Sequence, residues 1–160
     1  MADMVDMVDI LPAGLAHARV LAALHAVAFA DPALSGPAWD EGAFASLLAT
    51  PGVEGFILTL EGEPVALSLW RHVLDEAELL TIGAIPDARG RGLGGTLLRH
   101  GLAHLAGLGV TRVFLEVAVT NTAAIRVYAS AGFTNAGRRR GYYRHREQSI
   151  DADVMVTDLA

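Results

Sequence analysis

Along this chain the spacing of apolar positions changes period several times, and each change marks an element. Residues 4–10, MVDMVDI, alternate as a first strand, and 13–29, AGLAHARVLAALHAVAF, repeat at helical spacing. DPALSGPAWD, 31–40, is rich in turn formers, and Asp40 is placed to cap a second short helix that runs through Leu48. VEGFILTL and PVALSLWRHVL flank EGEP, a turn signature, so 53–74 predicts a hairpin. EAELLTIGAI predicts a further strand stopped by Pro86. Between 91 and 107, Leu93, Leu97, Leu98, Leu102 and Leu105 fall on one helical face, and Gly107 and Gly109 end it. TRVFLEVAV, 111–119, is apolar nearly throughout and predicts a strand buried on both faces. Asn121 then caps a short helix, TAAIRVYASA, closed by Gly132, and the remainder predicts two strands around an arginine-rich bend. The order β, α, α, β, β, β, α, β, α, β, β places antiparallel hairpins around one βαβ unit. It predicts an α+β (mixed α/β) fold, with a central, mostly antiparallel sheet of about seven strands and about four helices.

Composition narrows this further. With 160 residues, 52% of them hydrophobic, the chain suits one compact domain over 1–160. The net charge of −6 hides an asymmetry, because residues 1–80 carry twelve acids against Arg19 and Arg71, whereas 81–160 carry six acids against ten arginines. Such a division suits either a polyanionic ligand on one side and a cationic one on the other, or merely solvated surfaces. The overall acidity argues against nucleic acid as the main partner. No cysteine is present, which removes disulfides, thiolate nucleophiles and thiolate metal sites together. VLAALHAVAFADP imitates a secretory leader, but Asp3, Asp6 and Asp9 precede it without a positive charge. No charge-free apolar run approaches the ~18 residues needed to cross a bilayer. The reading is therefore a cytoplasmic protein without a membrane partner, monomer or homodimer.

Candidate chemistry begins at RGRGLGG, 89–95, directly before the leucine-rich helix. A helix N-terminus offers about four unpaired N–H groups and the positive end of the helix dipole, and glycines let an anion approach the main chain. A Walker loop is excluded, since the chain contains no lysine. Gly90, Gly92 and Gly95 satisfy the dinucleotide pattern GxGxxG, with Glu116 about 20 residues further on. However, PDAR separates Ile85 from Gly90, Glu116 sits within a strand, and only one βαβ unit is present where such a site needs two halves. A tight turn that merely requires small residues is the remaining reading.

Arg89, Gly92 and Gly94 also fit Q/RxxGxG/A, which resembles the pyrophosphate-binding motif of the GNAT superfamily of acyl-CoA-dependent N-acetyltransferases. NTAAIRVYASAGF, 121–133, resembles that superfamily's second landmark: Asn, a short helix carrying Tyr, then Gly-Phe. Within it, the chain is similar to the RimI type, which acetylates the N-terminal amine of a small-subunit ribosomal protein. VLDEAELLTIGAIPDARGRGLGGTLL, LEVAVTNTAAIRVY and RRRGYYRHREQSIDADVM carry that likeness, and PAWDEGAF loosely follows a Pro-Trp motif. The resemblance implies a GNAT-like fold with a V-shaped gap between the strands at 76–84 and 111–119, acetyl-CoA as co-substrate and no metal. The implied acceptor is a protein N-terminus, with a small-molecule amine as the alternative. Ile85 stands where such enzymes often carry an acid, and Ala118 where the RimI type often carries an arginine.

Acetyl transfer to an amine needs a base for the ammonium proton, a donor for the carbonyl oxygen and a proton for the departing thiolate. Glu116 is the candidate base, since an acid in an otherwise apolar strand is costly unless used. An ion pair with Arg112 or Arg126 is the competing reading. Tyr128 is the candidate acid; Asn121 lies seven residues before it, about two helical turns, so both can face one ligand. By resemblance, main-chain N–H groups between Ile82, Gly83 and Ala84 receive the carbonyl oxygen. Arg89, Gly90, Arg91, Gly92, Leu93, Gly94 and Gly95 form the pyrophosphate cradle. Trp39, Tyr142 and Tyr143 are candidate acceptor-binding residues. His100 and His104 are spaced as in HExxH, but Gly101 replaces the glutamate, so they read as a solvated helix face.

Overall fold

The structure, a computed structural model, describes residues 7–30, 39–145 and 148–159, and the side chains of 143–148 lie outside that description. Its strands are β1 Val8–Ala13, β2 Val53–Leu60, β3 Glu63–Val73, β4 Glu76–Ala84, β5 Arg112–Ala118, β6 Thr134–His145 and β7 Gln148–Asp158. They form one seven-stranded sheet in the order β1-β2-β3-β4-β5-β7-β6. Every neighbouring pair is antiparallel except β4 with β5. The helices among the described residues are α1 Ala18–Ala28, α2 Glu41–Leu48, α3 Leu93–Gly107 and α4 Thr122–Ser130, so the element order is the one the periodicity predicts.

Strand alternation divides the core in two. Ile57, Leu67 and Leu69 point to the layer of α1 and α2, where Leu21, Leu24 and Phe44 complete a cluster. Phe56, Leu58, Ala66 and Trp70 point the other way, against Leu97, Leu98, Leu102 and Leu105 of α3. Helices thus cover both faces of the sheet at β2 and β3 with their apolar stripes.

Local boundaries differ from the expectation at the start of the chain. The first strand runs Val8–Ala13 instead of 4–10, of which residues 4–6 lie outside the described residues. It tolerates Pro12 because an edge strand pairs on one side only. The helix expected from 13 begins at Ala18, because Leu15–His17 form a 3-10 turn in which the Gly14 N–H donates to His17 Nδ1 at 3.0 Å. Asp40 does cap α2, its Oδ1 accepting from the Ala43 N–H at 2.8 Å. The EGEP turn is a two-residue hairpin loop, with Glu61 and Gly62 both at positive φ, as a type I′ turn requires.

His25 on α1 is 3% exposed, stacks on Trp39 at 5.1 Å, and accepts the Trp39 N–H at Nδ1 at 3.1 Å. Burial lowers its pKa to about 4. Because the unfolded chain takes up this proton near pH 6.5 and the folded one only near pH 4, stability falls as pH drops through that window. The expected loss is about 3 kcal/mol. Urea titrations at pH 7 and pH 4.5 should show His25→Gln losing less stability on acidification than wild type. Equal losses would show that His25 is protonated without penalty.

Candidate active site

The one parallel pair in the sheet does not stay paired. β4 and β5 are joined only where Glu76, Ala77 and Glu78 meet Arg112, Val113 and Phe114, and then they part. Beyond that point the V-shaped gap opens, so β5 is buried through Val113, Leu115 and Val117 but only half-buried at Phe114 and Glu116. The expectation of burial on both faces is corrected accordingly: Val113, Leu115 and Val117 face the α3 layer, whereas the cluster under α1 and α2 includes no residue of β5.

The gap leaves main-chain groups of β4 without a strand partner. The Ile85 N–H donates to Val65 O at 2.9 Å, and pairing continues through Gly83 opposite Leu67. By the alternation of an antiparallel ladder, Gly83 therefore turns its N–H toward β3, while Ile82 and Ala84 turn theirs toward the gap. The stretch expected to supply a main-chain N–H thus turns two toward the gap, at Ile82 and Ala84. Gly83 serves otherwise: a Cβ at this position would stand 2.8 Å from Phe29 Cζ, so its absence lets the Phe29 ring lie against the strand.

A cavity of about 640 Å³ occupies this region. Ile82, Gly83 and Ala84 form one wall; Arg89, Gly90, Gly92, Leu93, Gly94 and Gly95 form another; Asn121, Val127 and Tyr128 of the α4 segment form a third. The fourth wall, Val27 to Ala30 at the end of α1, is absent from the sequence reading. Its signal was the small residue at 83, meaningful only once the strand is known to face α1. Arg91 is exposed and does not line the cavity.

The glycine stretch leads into α3 with its main chain exposed to the cavity. Gly92 is the N-cap of α3 at φ +74°, a left-handed conformation that side chains resist. Its carbonyl accepts the Thr96 N–H at 3.1 Å, so the N–H groups of Leu93, Gly94 and Gly95 precede the first intrahelical bond. At Gly90, Gly92 and Gly94 nothing lies within 4 Å of where a Cβ would be, which leaves the main chain open to a ligand phosphate. The Arg89 side chain lines the cavity and bonds main-chain carbonyls. Its Nη2 donates to Ala28 O at 2.6 Å and its Nε to Ala84 O at 3.2 Å. The guanidinium thus satisfies a carbonyl at the end of α1 and ties that helix to β4. The dinucleotide reading loses its basis, since β4 and β5 are the sole parallel pair among the described strands and no second mononucleotide half exists there.

The Asn-Tyr-Gly-Phe landmark is a helix with both ends capped. Asn121 Oδ1 accepts the Ala124 N–H at 3.3 Å. At the other end the Phe133 N–H donates to Tyr128 O at 3.1 Å, a Schellman closure. Phe133 packs edge-on against the Tyr128 ring, centroids 6.0 Å apart, and Tyr128 is 8% exposed. The capping thus holds the tyrosine at the cavity wall.

Glu116 does form an ion pair, but with neither arginine named from the sequence. Arg139 Nη1 stands 2.6 Å from Glu116 Oε1, while Arg112 pairs with Asp158 at 2.8 Å, directly opposite it across β5 and β7. The Arg139 guanidinium also lies 4.5 Å over the Tyr142 ring. The Tyr142 hydroxyl hydrogen-bonds Glu116, and that bond, with burial, raises its pKa. Tyr142 is therefore brought to the candidate base, whereas Trp39 packs with His25 and Phe44 on the α1–α2 layer and is not part of the cavity wall. The Tyr143 side chain lies outside the described residues. His104 is also corrected: it faces Glu54 at 3.5 Å, and its ring, like that of His100, packs edge-on against Phe56. No group of three or more metal-ligating side chains is present among the described residues, and no helix there is long and apolar enough to cross a membrane.

Comparison with known proteins gives this geometry a family. Residues 21–133 match the model of the acetyltransferase (GNAT) family. The chain is 38% identical over 122 residues to the ribosomal protein bS18-alanine N-acetyltransferase of Escherichia coli, covering 76% of this chain and 82% of that one. The crystal structure of the ribosomal-protein-S18-alanine N-acetyltransferase from Escherichia coli superposes with a TM-score of 0.80 at 32% identity, covering 96% of this chain and 95% of that one. NAA60 of Arabidopsis thaliana, solved in complex with acetyl-CoA, shares the fold, with a TM-score of 0.82 at 18% identity over 96% of this chain and 99% of that one. The match over most of the length and the parted β4–β5 pair lead to one conclusion: the chain belongs to the GNAT family and is an N-acetyltransferase.

Proposed function

We propose that this enzyme transfers the acetyl group of acetyl-CoA to the N-terminal α-amine of a ribosomal protein in the cytoplasm. The observation that carries this reading is the 38% identity to the bS18-alanine N-acetyltransferase across 122 residues. Acetyl-CoA supplies an activated thioester. The N–H groups of Leu93, Gly94 and Gly95 hold its pyrophosphate, helped by the α3 dipole, and the gap-facing N–H groups of Ile82 and Ala84 receive the pantetheine and acetyl oxygens. Glu116 takes the proton from the acceptor amine, and Tyr128 returns one to the departing sulfur. Transfer is direct within a ternary complex, since the chain has no cysteine to carry an acyl group.

Thiol release across a panel of acceptors tests the reading. Peptides beginning with alanine should be turned over well ahead of polyamines and aminoglycosides. Turnover of the small amines with none for any peptide would replace the protein acceptor with a small molecule.

A further inference from the structure

β6 does not run evenly beside β7. Arg139 is opposite Ala152 and Tyr143 is opposite Ile150, so four steps on one strand match two on the other. The surplus is taken up at Gly141, at φ +62°, whose N–H donates to Asp151 Oδ1 at 2.9 Å. Such a bulge re-aims side chains. Here Tyr142 doubles back beneath the Arg139 guanidinium, and both reach Glu116. The path from Arg139 to β5 is clear, because the row crossing the sheet from it holds only Ala152 and then Ala118. The other charges around Glu116 are committed elsewhere: Glu78 of β4 pairs with Arg71 at 3.0 Å, and Asp153 of β7 pairs with Arg138 at 3.2 Å.

We propose that Arg139, held by the Gly141 bulge, is a positioning and specificity residue that makes the site accept an amine already neutral and turn away one that arrives as a cation. The inference rests on the proposed function, with Glu116 as base for the proton that the amine nitrogen sheds once it has attacked the thioester carbonyl, rather than for one carried in by an ammonium. A bare carboxylate attracts any ammonium. One already paired with a guanidinium and a phenol offers little to a cation, and the guanidinium repels it. An N-terminal α-amine has a pKa of about 8 and a lysine-type amine about 10.4, so their neutral fractions near pH 7.5 differ by roughly 200-fold. A site that admits neutral amines therefore prefers a protein N-terminus to side-chain or polyamine nitrogen.

The test compares wild type, Arg139→Gln and Arg139→Lys in thiol release, using an alanine-initiated peptide and Nα-acetyl-lysine amide as the ε-amine probe. The Arg139 side chain is 56% exposed, so the substitutions leave the core intact. Arg139→Gln should reduce the ratio of kcat/KM for the α-amine to that for the ε-amine at least about tenfold, chiefly through a lower KM for the cationic acceptor. Arg139→Lys, which keeps the charge, should hold the ratio within about threefold of wild type. A wild type that prefers the α-amine, with the ratio unchanged in Arg139→Gln, overturns the inference and leaves the proposed function standing. A wild type that prefers the ε-amine overturns both.

Discussion

Glu116→Gln is expected to lower kcat/KM for an alanine-initiated peptide by roughly 10²–10⁴-fold while leaving acetyl-CoA binding as in wild type. The amide matches the carboxylate in size and still accepts from Arg139 and Tyr142, so the cleft keeps its shape. What disappears is the capacity to take a proton from the acceptor. Acetyl-CoA binding stays because none of the cavity walls includes residue 116. Tyr128→Phe is the companion measurement: it removes only the hydroxyl and retains the ring against Phe133, so kcat should fall without a change in melting temperature. If calorimetry shows intact acetyl-CoA binding and both variants turn over at the wild-type rate, the acid and base lie elsewhere.

The second large effect concerns stability. Gly101→Ala is expected to destabilise the fold by about 3 kcal/mol or more, read as a lower urea midpoint. In an exposed helix the same change would stabilise by about 1 kcal/mol. The sign reverses here because a Cβ at 101 would stand 2.3 Å from Trp70 Cζ2 and 2.5 Å from its Cε2. Trp70 is fully buried, and its Nε1 donates to Ser68 Oγ at 3.0 Å, so the indole has nowhere to yield. α3 would have to lift from the sheet, carrying the glycine stretch at its N-terminus with it, and acetyl-CoA affinity should fall in parallel. Combining Gly101→Ala with Trp70→Leu should recover part of the loss, as two residues in direct contact are coupled. A midpoint equal to wild type for Gly101→Ala alone would show that α3 does not rest on the indole.

Much of this architecture was legible in local spacing. Period-two and helical patterns gave the order of the strands and helices among the described residues, with the first strand and first helix starting later than their spacing suggests, and Asp40, Asn121 and Gly132 marked ends that the hydrogen bonds bear out. Gly101 was visible only as a missing metal-site glutamate; its purpose depends on which residue of β3 lies beneath it. The same holds for Arg139. Its approach to Glu116 crosses two strand pairings and depends on a bulge, and neither register nor bulge follows from the residues flanking it. Arg89 fits a motif locally, yet its guanidinium reaches Ala28, sixty-one positions away. Sequence spacing places groups along an element; partners drawn from distant elements emerge only from the packing.

The bulged outer strand has a second consequence, for solubility. Among the described residues β1 and β6 are the outer strands of the sheet, the positions where unpaired main-chain groups would invite another chain to add on. At one margin Pro12 withholds a donor and Asp9 adds charge; at the other, Arg138, Arg139 and Arg140 are followed by the break at Gly141. Proline, charge and interrupted register each oppose edge-to-edge growth. The bend that steers the acceptor amine thereby also helps keep neighbouring molecules from stacking into a continuous sheet.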